Sequence, residues 1–284
     1  MLFIILSVVQ STLILIVFKL FDRYRIDNLQ ALVANYITAG VFGLILCIRL
    51  ESPRGIIYNH WLGYAVFLGF LFIGTFFCFA LSSQKVGIAL TSVTSKMSVV
   101  IPVILSIFLF NEKINILRIA GIIIALIAFY LTFKKDEKRR ADSRMLILPL
   151  LVFFGNGLVD TAMKYSQHHY ITDDLVQFLT AVFFTSFLIG SVILSARVMS
   201  GTSKLHFTSF AGGVVLGLLN FGSTFYLIKA MGSYESSVVF PVANAAIVGL
   251  SSLTGYFGFR EKLSLVNWSG IVLSIIAILI IANM

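Results

Sequence analysis

Apolar residues run through this chain in blocks of about twenty, broken by short polar connections, with no sustained alternation of polar and apolar positions. A helix rises about 1.5 Å per residue, so roughly 20 apolar residues cross the ~30 Å hydrocarbon core of a bilayer. That ruler predicts ten helical spans, at about 1–21, 29–49, 60–82, 88–110, 114–133, 146–165, 174–196, 207–231, 236–259 and 264–283. A transmembrane barrel would need segments of about ten residues with alternating polarity. Continuous runs such as "RIAGIIIALIAFYLTF" (118–133) lack that alternation. The expected fold class is an all-α polytopic membrane protein with ten transmembrane helices.

Composition narrows the picture further. Of 284 residues, 59% are hydrophobic and only 12% charged, with four prolines and no long polar stretch, so no separate soluble domain or linker is expected. The opening run "MLFIILSVVQSTLILIVF" has no basic lead and no small-residue cleavage site, so it is expected to be a retained first span. Cys47 and Cys78 lie in apolar runs and predict buried thiols, not a disulfide. The net charge of +9 sits in short turns between spans and forms no continuous stripe, which argues against nucleic acid and for membrane topology.

The longest charged stretch, "KKDEKRRADSR" (134–144), divides the chain with five expected spans on each side. The halves resemble each other. "FNEKINILRIAGIIIALIAFYL" lies over "FREKLSLVNWSGIVLSIIAILI", with Glu112 over Glu261 and Gly121 over Gly270. "FKLFDRYRIDNLQAL" lies over "MKYSQHHYITDDLVQF", with Lys19 over Lys164, and "LGFLFIGTFF" over "LGLLNFGSTF", with Gly69 over Gly217 and Gly74 over Gly222. An odd number of spans per repeat makes the second copy enter the membrane from the opposite side. The halves are then expected to be inverted repeats, a transporter signature.

Two Phe-Xaa-Glu-Lys turns, Phe110–Lys113 and Phe259–Lys262, each precede a glycine-bearing apolar span, and the pairs Ala80-Leu81 and Ala230-Met231 close the third and eighth spans. In these features the chain resembles the drug/metabolite transporter superfamily, in its EamA-like ten-span branch. The resemblance implies a first EamA-like five-helix repeat over 1–133, a charged connecting loop at 134–145 and a second repeat over 146–284. It implies a transport class but no particular solute. The family pattern places a proline about ten residues before each glutamate. Pro102 fits, whereas the ninth span has Ser251 there and carries Pro241 ten residues earlier, so the second half is expected to bend at a different depth.

The candidate chemistry centres on "TSVTSKMSVVIP" (91–102), where Thr91, Ser92, Thr94, Ser95 and Ser98 surround Lys96. Lys96 lies about 12 Å into its span, too deep to snorkel easily. A charge there costs at least about 2.5–3.5 kcal/mol on insertion scales, so it should meet a wet cavity or a partner. One reading makes it line a solute pathway; the other bonds it to Ser92 and to carbonyls freed near Pro102. Asn244 falls at similar depth in the ninth span, with Ser95 over it in the repeat and Ala245 over Lys96. It reads either as part of the site or as interhelical glue.

In the sixth span Asn156, Asp160 and Lys164 are spaced four apart on one face. Asp160 either pairs with Lys164 across one turn or faces Lys96. Tyr36, Asn35, Thr75, Asn220, Ser223, Thr224 and Tyr226 are secondary candidates. The expected solute-binding set is Lys96, Ser95, Thr91, Asn244, Asn156, Asp160, Asn220 and Tyr36.

Enzyme signatures are weak. His168-His169 lacks the spacing that aims two imidazoles at one metal, and there is no nucleophile elbow or phosphate-cradling loop. No cofactor, metal or nucleic acid is expected. The expected function is secondary transport of a small polar or amphipathic metabolite, an amino acid or related organic solute, by alternating access in the plasma (inner) membrane. Its expected partners are that solute, anionic where it meets Lys96, a coupling proton and the lipid bilayer. The rival readings are a non-transporting membrane scaffold and an intramembrane enzyme.

Connections between spans 1–2, 3–4, 5–6, 7–8 and 9–10 hold fourteen Lys and Arg, and the other set holds six. The positive-inside rule then puts both termini outside, although the resemblance implies cytoplasmic termini. A C-terminal reporter active only in the cytoplasm is expected to stay silent; activity would establish the family orientation.

Overall fold

Lipid offers no hydrogen-bond partners to a peptide group, so a chain this apolar must satisfy its backbone within helices. The computed structural model describes residues 1–50, 61–109, 116–133, 146–169, 175–231 and 236–282, and every regular element among them is helical. The order is α1 Leu2–Arg23, α2 Asn28–Leu50, α3 Leu62–Lys85, α4 Ile88–Met97, α5 Val100–Leu109, α6 Ile116–Phe133, α7 Ile147–His169, α8 Leu175–Met199, α9 Phe207–Met231, α10 Ser236–Leu253 and α11 Leu265–Ala282. A single π turn, Thr254–Gly258, prolongs α10.

Six described stretches are long and apolar enough to cross a membrane: Leu2–Arg23, Asn28–Ile48, Leu62–Lys85, Ile88–Leu105, Val176–Met199 and Phe207–Leu227. Shorter apolar helices cover Ala120–Thr132, Ile147–Met163, Val242–Gly258 and Leu265–Ile280. The chain is a multi-pass membrane protein.

Helix starts follow local chemistry. Asp27 Oδ1 accepts the Gln30 amide at 3.0 Å and caps α2. Ser264 and Asn267 cap α11 reciprocally: Ser264 N donates to Asn267 Oδ1 at 2.9 Å, and Asn267 N donates to Ser264 Oγ at 3.2 Å. Asn267 Nδ2 also donates to the Thr132 carbonyl at 2.8 Å, tying α11 to the end of α6.

The expected single span at 88–110 is two helices. Pro102 has no N–H to give the Ser98 carbonyl, which instead accepts Ile101 N at 2.9 Å. Val99 N reaches the Lys96 carbonyl only at 3.5 Å, and helix geometry lapses at Ser98 and Val99. The second half distorts elsewhere, although not at Pro241, which lies within the helical run of α10. There α10 runs unbroken past Ser251, whose Oγ donates back to Ile247 O at 2.6 Å, and the irregularity falls in the π turn.

The cores interlace the two halves of the sequence. One packs α1, α2 and α3 with α8 and α9 around Phe18, and another packs α4, α5 and α6 with α10 and α11 around Met97 and Ile271. Several helix pairs, though not α1–α3 or α2–α3, have a counterpart when each span is replaced by the one five places later. The pair α1–α9 maps onto α7–α3, α2–α9 onto α8–α3, and α1–α10 onto α7–α4; α2–α8, α4–α10 and α6–α11 map onto themselves.

Glycines at matched positions make two of these approaches close. On α3, a Cβ at Gly69 would stand 2.9 Å from Thr185 Cβ on α8; on α9, a Cβ at Gly217 would stand 2.7 Å from Thr38 Cβ on α2. Gly217→Ala is therefore expected to destabilise the protein by about 1–3 kcal/mol. Gly74→Ala, with nothing within 4 Å of the added carbon, is expected to be neutral or to stabilise by up to about 1 kcal/mol. Thermal unfolding of the two variants in detergent compares them, and equal shifts would contradict this packing.

Candidate functional site

The break between α4 and α5 places Lys96 in the last turn of a ten-residue helix. The helix dipole presents its negative end there, which favours an ammonium. Ser98 Oγ donates to the Ser95 carbonyl at 2.5 Å, so one carbonyl exposed by the break is satisfied locally. Lys96 remains partly exposed. Ser92, offered by the sequence as its structural partner, has a buried hydroxyl oxygen with no hydrogen bond, so that alternative is not realised.

Opposite α4 stands α7. Its exposed apolar stripe is Ile147, Leu150, Leu151, Phe154 and Leu158. At about 100° per residue, Asp160 lies about 200° round the helix from Leu158 and Asn156 about 160° round in the same sense, so both face inward. The inward face is fixed by a bond: Asn156 Nδ2 donates to Ser95 Oγ at 2.8 Å. Asp160, one turn further along, is exposed although it faces away from the lipid stripe. Its exposure therefore opens into the bundle.

Asp160 and Lys96 are each other's electrostatic partners. No direct ion pair joins them among the described residues. The sequence left Asp160 a choice of lysines, Lys164 on its own helix or Lys96 across the bundle, and the coupling to Lys96 is present. The side chain of Lys164 lies outside the described residues.

Helix contacts close a ring about this space: α1 on α3, α3 on α7, α7 on α4, α4 on α10 and α10 on α1. Gly155 and Gly157 let α7 come close to Thr75 of α3 and Ile101 of α5, which holds Asn156 between them. On α10 the exposed stripe includes Val242, Leu250 and Leu253, and Asn244 lies about 200° from Val242, on the inward side and partly exposed. Its neighbour Ala245 packs into the core formed by Val93, Met97 and Val248.

The structure thus brings Ser95, Lys96, Asn156 and Asp160 together and puts Asn244 on the inward side of an adjoining helix. The contacts of Thr91, Tyr36 and Asn220 run elsewhere. Thr91 is buried and shares a hydrogen bond with Ser82 at 2.7 Å, fastening α4 to α3. Tyr36 is buried against the rings of Phe76 and Phe183, and its hydroxyl has no partner. Asn220 Nδ2 donates to Asn35 Oδ1 at 3.3 Å and joins α9 to α2. Two polar groups escaped the sequence reading. Gln10 has a buried, unpartnered amide oxygen close to Gly222, and Gln84 of α3 bonds both α1 and α2 at one end of the bundle. Gln10 sits in an apolar run and Gln84 in the polar end of a span, Ser82–Lys85, and nothing local shows which helices either one meets.

If the inward faces are wet, a cysteine replacing Asp160 in a chain lacking Cys47 and Cys78 reacts with a membrane-impermeant maleimide, while one replacing Thr91 does not. Equal protection of both would mean a dry interior.

Comparison with known proteins agrees with this architecture. An uncharacterized protein of Haemophilus influenzae (strain ATCC 51907 / DSM 11121 / KW20 / Rd) is 26% identical, over 96% of this chain and 95% of that protein. A crystal structure described only as that of a protein superposes with a TM-score of 0.66 at 12% identity, covering 98% of this chain and 94% of that one, and so shares the fold. Over residues 1–134 the chain carries the sequence pattern of the EamA-like transporter family.

Proposed function

We propose that this protein is a secondary transporter that moves a small polar or amphipathic solute, an amino acid or related organic metabolite, across the plasma (inner) membrane by alternating access. The observation that carries this reading is the pair of opposite charges, Lys96 and Asp160. They sit on inward faces of two packed helices, open to the bundle interior and without a direct ion pair. In a low-dielectric interior, unneutralised charges are costly unless water or a ligand takes part. A scaffold would have no need of a solvated charge pair beside a helix break.

In this scheme Lys96 takes an anionic group of the solute. Asp160 takes a cationic group or the coupling proton, and Ser95, Asn156 and Asn244 set the fit. Broken helices at mid-span, with side chains and helix ends turned to a cavity, are how transporter folds place polar groups in a bilayer. The helix pairs that do exchange, among them α1–α9 with α3–α7 and α2–α9 with α3–α8, support two inverted five-helix repeats, 1–133 and 146–284, joined by 134–145. Inverted repeats supply two related arrangements, one open to each side of the membrane.

Flux into proteoliposomes, with the solute found by thermal shift against a metabolite library, tests the assignment. A true ligand at about 100 times its Kd should stabilise the protein by about 2.7 kcal/mol. Lys96→Ala is expected to abolish both that stabilisation and flux while inserting normally. Wild-type flux in the variant would sink the proposal.

A further inference from the structure

At one end of the bundle a single carboxylate meets α4 and α1, and through Lys19 it is linked to α3 and α2. The connection after the π turn carries Glu261, whose own amide is held by the Gly255 carbonyl at 2.9 Å. Its side chain reaches across to the start of α4. Ile88 N donates to Oε1 at 2.6 Å and Ala89 N to Oε2 at 3.2 Å, so the carboxylate caps the first turn of that helix with both oxygens. Charge-assisted bonds at a helix N-terminus are among the stronger polar contacts.

Lys19 Nζ of α1 lies 3.9 Å from Oε1 and donates to the Gln84 carbonyl of α3 at 2.8 Å. The Gln84 amide in turn bonds Asn28 of α2 at 2.9 and 3.1 Å. Two glycines make the space. A Cβ at Gly87 would come within 2.9 Å of the Glu261 carboxyl carbon, and one at Gly255 within 3.0 Å of it. Gly87 also holds φ at +126°, a conformation suited to glycine.

The helix so capped is the one that carries Ser95 and Lys96. It is ten residues long, flanked by the Gly87 turn at one end and the Ser98–Val99 break at the other. It can therefore turn as a short rigid rod, with the carboxylate restraining its start.

We propose that Glu261 is a latch: its hold on the first turn of α4, backed by Lys19, closes the Lys96–Asp160 space at this end of the bundle, and its release opens that end. The role rests on the transport reading for its purpose, but the latch can be read without any transport.

The test uses the full-length chain with C47A and C78A, a reporter cysteine S95C and a sulfonated, membrane-impermeant maleimide. In sealed vesicles of both orientations, a separate L205C chain marks the latched end. Leu205 is exposed, and its neighbours Lys204 and His206 bond Gln30 near the start of α2. In the otherwise wild-type chain S95C should label only from the side opposite that marker. E261Q should raise labelling from the marker side by about tenfold or more, and K19M should raise it less, in the same direction. Gly255→Ala, which crowds the carboxylate without removing its charge, should act like E261Q.

Unchanged sidedness in E261Q and Gly255→Ala, with both folded by thermal unfolding, overturns the latch. So does equal labelling from both sides in either variant, which is the mark of a loosened bundle. If no solute is ever transported yet the sidedness shifts, the transport reading fails and the latch stands. If flux depends on Lys96 while sidedness ignores Glu261, the reverse holds.

Discussion

A backbone carbonyl at membrane depth must find a donor within the protein, and that constraint organises the fourth span. Pro102 withholds the amide that the Ser98 carbonyl would otherwise accept, and the fourth helix breaks at Ser98 and Val99. Irregular backbone at membrane depth is tolerated only where protein or water covers it. The break must therefore look inward, and it takes Ser95 and Lys96 with it. Asn156 meets Ser95 there, and the ring of α1, α3, α7, α4 and α10 surrounds the place. The polar chemistry lies where the backbone was already committed to a covered environment.

Much of this was legible in the sequence. Helix positions follow from run length: α9 occupies 207–231 as expected, and most others shift by no more than a few residues. The depth of Lys96 follows from counting residues. The break did not follow from hydropathy, because Ile88–Leu105 is apolar enough to read as one span; only the missing amide of Pro102 divides it. Partners across the bundle were harder still. Spacing on α7 shows that Asn156, Asp160 and Lys164 share a face, but not which helix that face meets. Thr91 and Ser95 look alike in sequence, four residues apart on one helix. One is used up by Ser82 and the other meets Asn156. Nothing local to either residue tells them apart.

Positions that the sequence aligns between the two halves agree in some packing glycines and diverge in polar chemistry. Gly69 and Gly217 permit matched close approaches, α3 on α8 and α9 on α2. A glycine at a tight crossing is held by geometry, because a Cβ would push two backbones apart. Polar residues are under no such shared demand. Where the first half breaks its helix at Pro102, the second keeps α10 intact past Ser251 and distorts it in the π turn. The two long segments therefore differ in the depth at which they lose helical regularity.

Electrostatics gives a reason for the sharpest difference, Lys96 in one half and Ala245 at the matching place in the other. If the halves are related by a pseudo-two-fold axis, a residue close to that axis stands near its own repeat mate; α4 and α10 do pack against each other. A lysine in both would bring two ammonium groups together where the dielectric is low, and repulsion there far exceeds that between surface charges. One lysine with one aspartate from α7 avoids this and leaves the space near neutral. Ala245 instead packs into the core around Met97 and Val248, so the half without the charge contributes to the wall. In such a repeat, a charged site near the axis is compatible with the membrane only if the sequences of the two halves differ there.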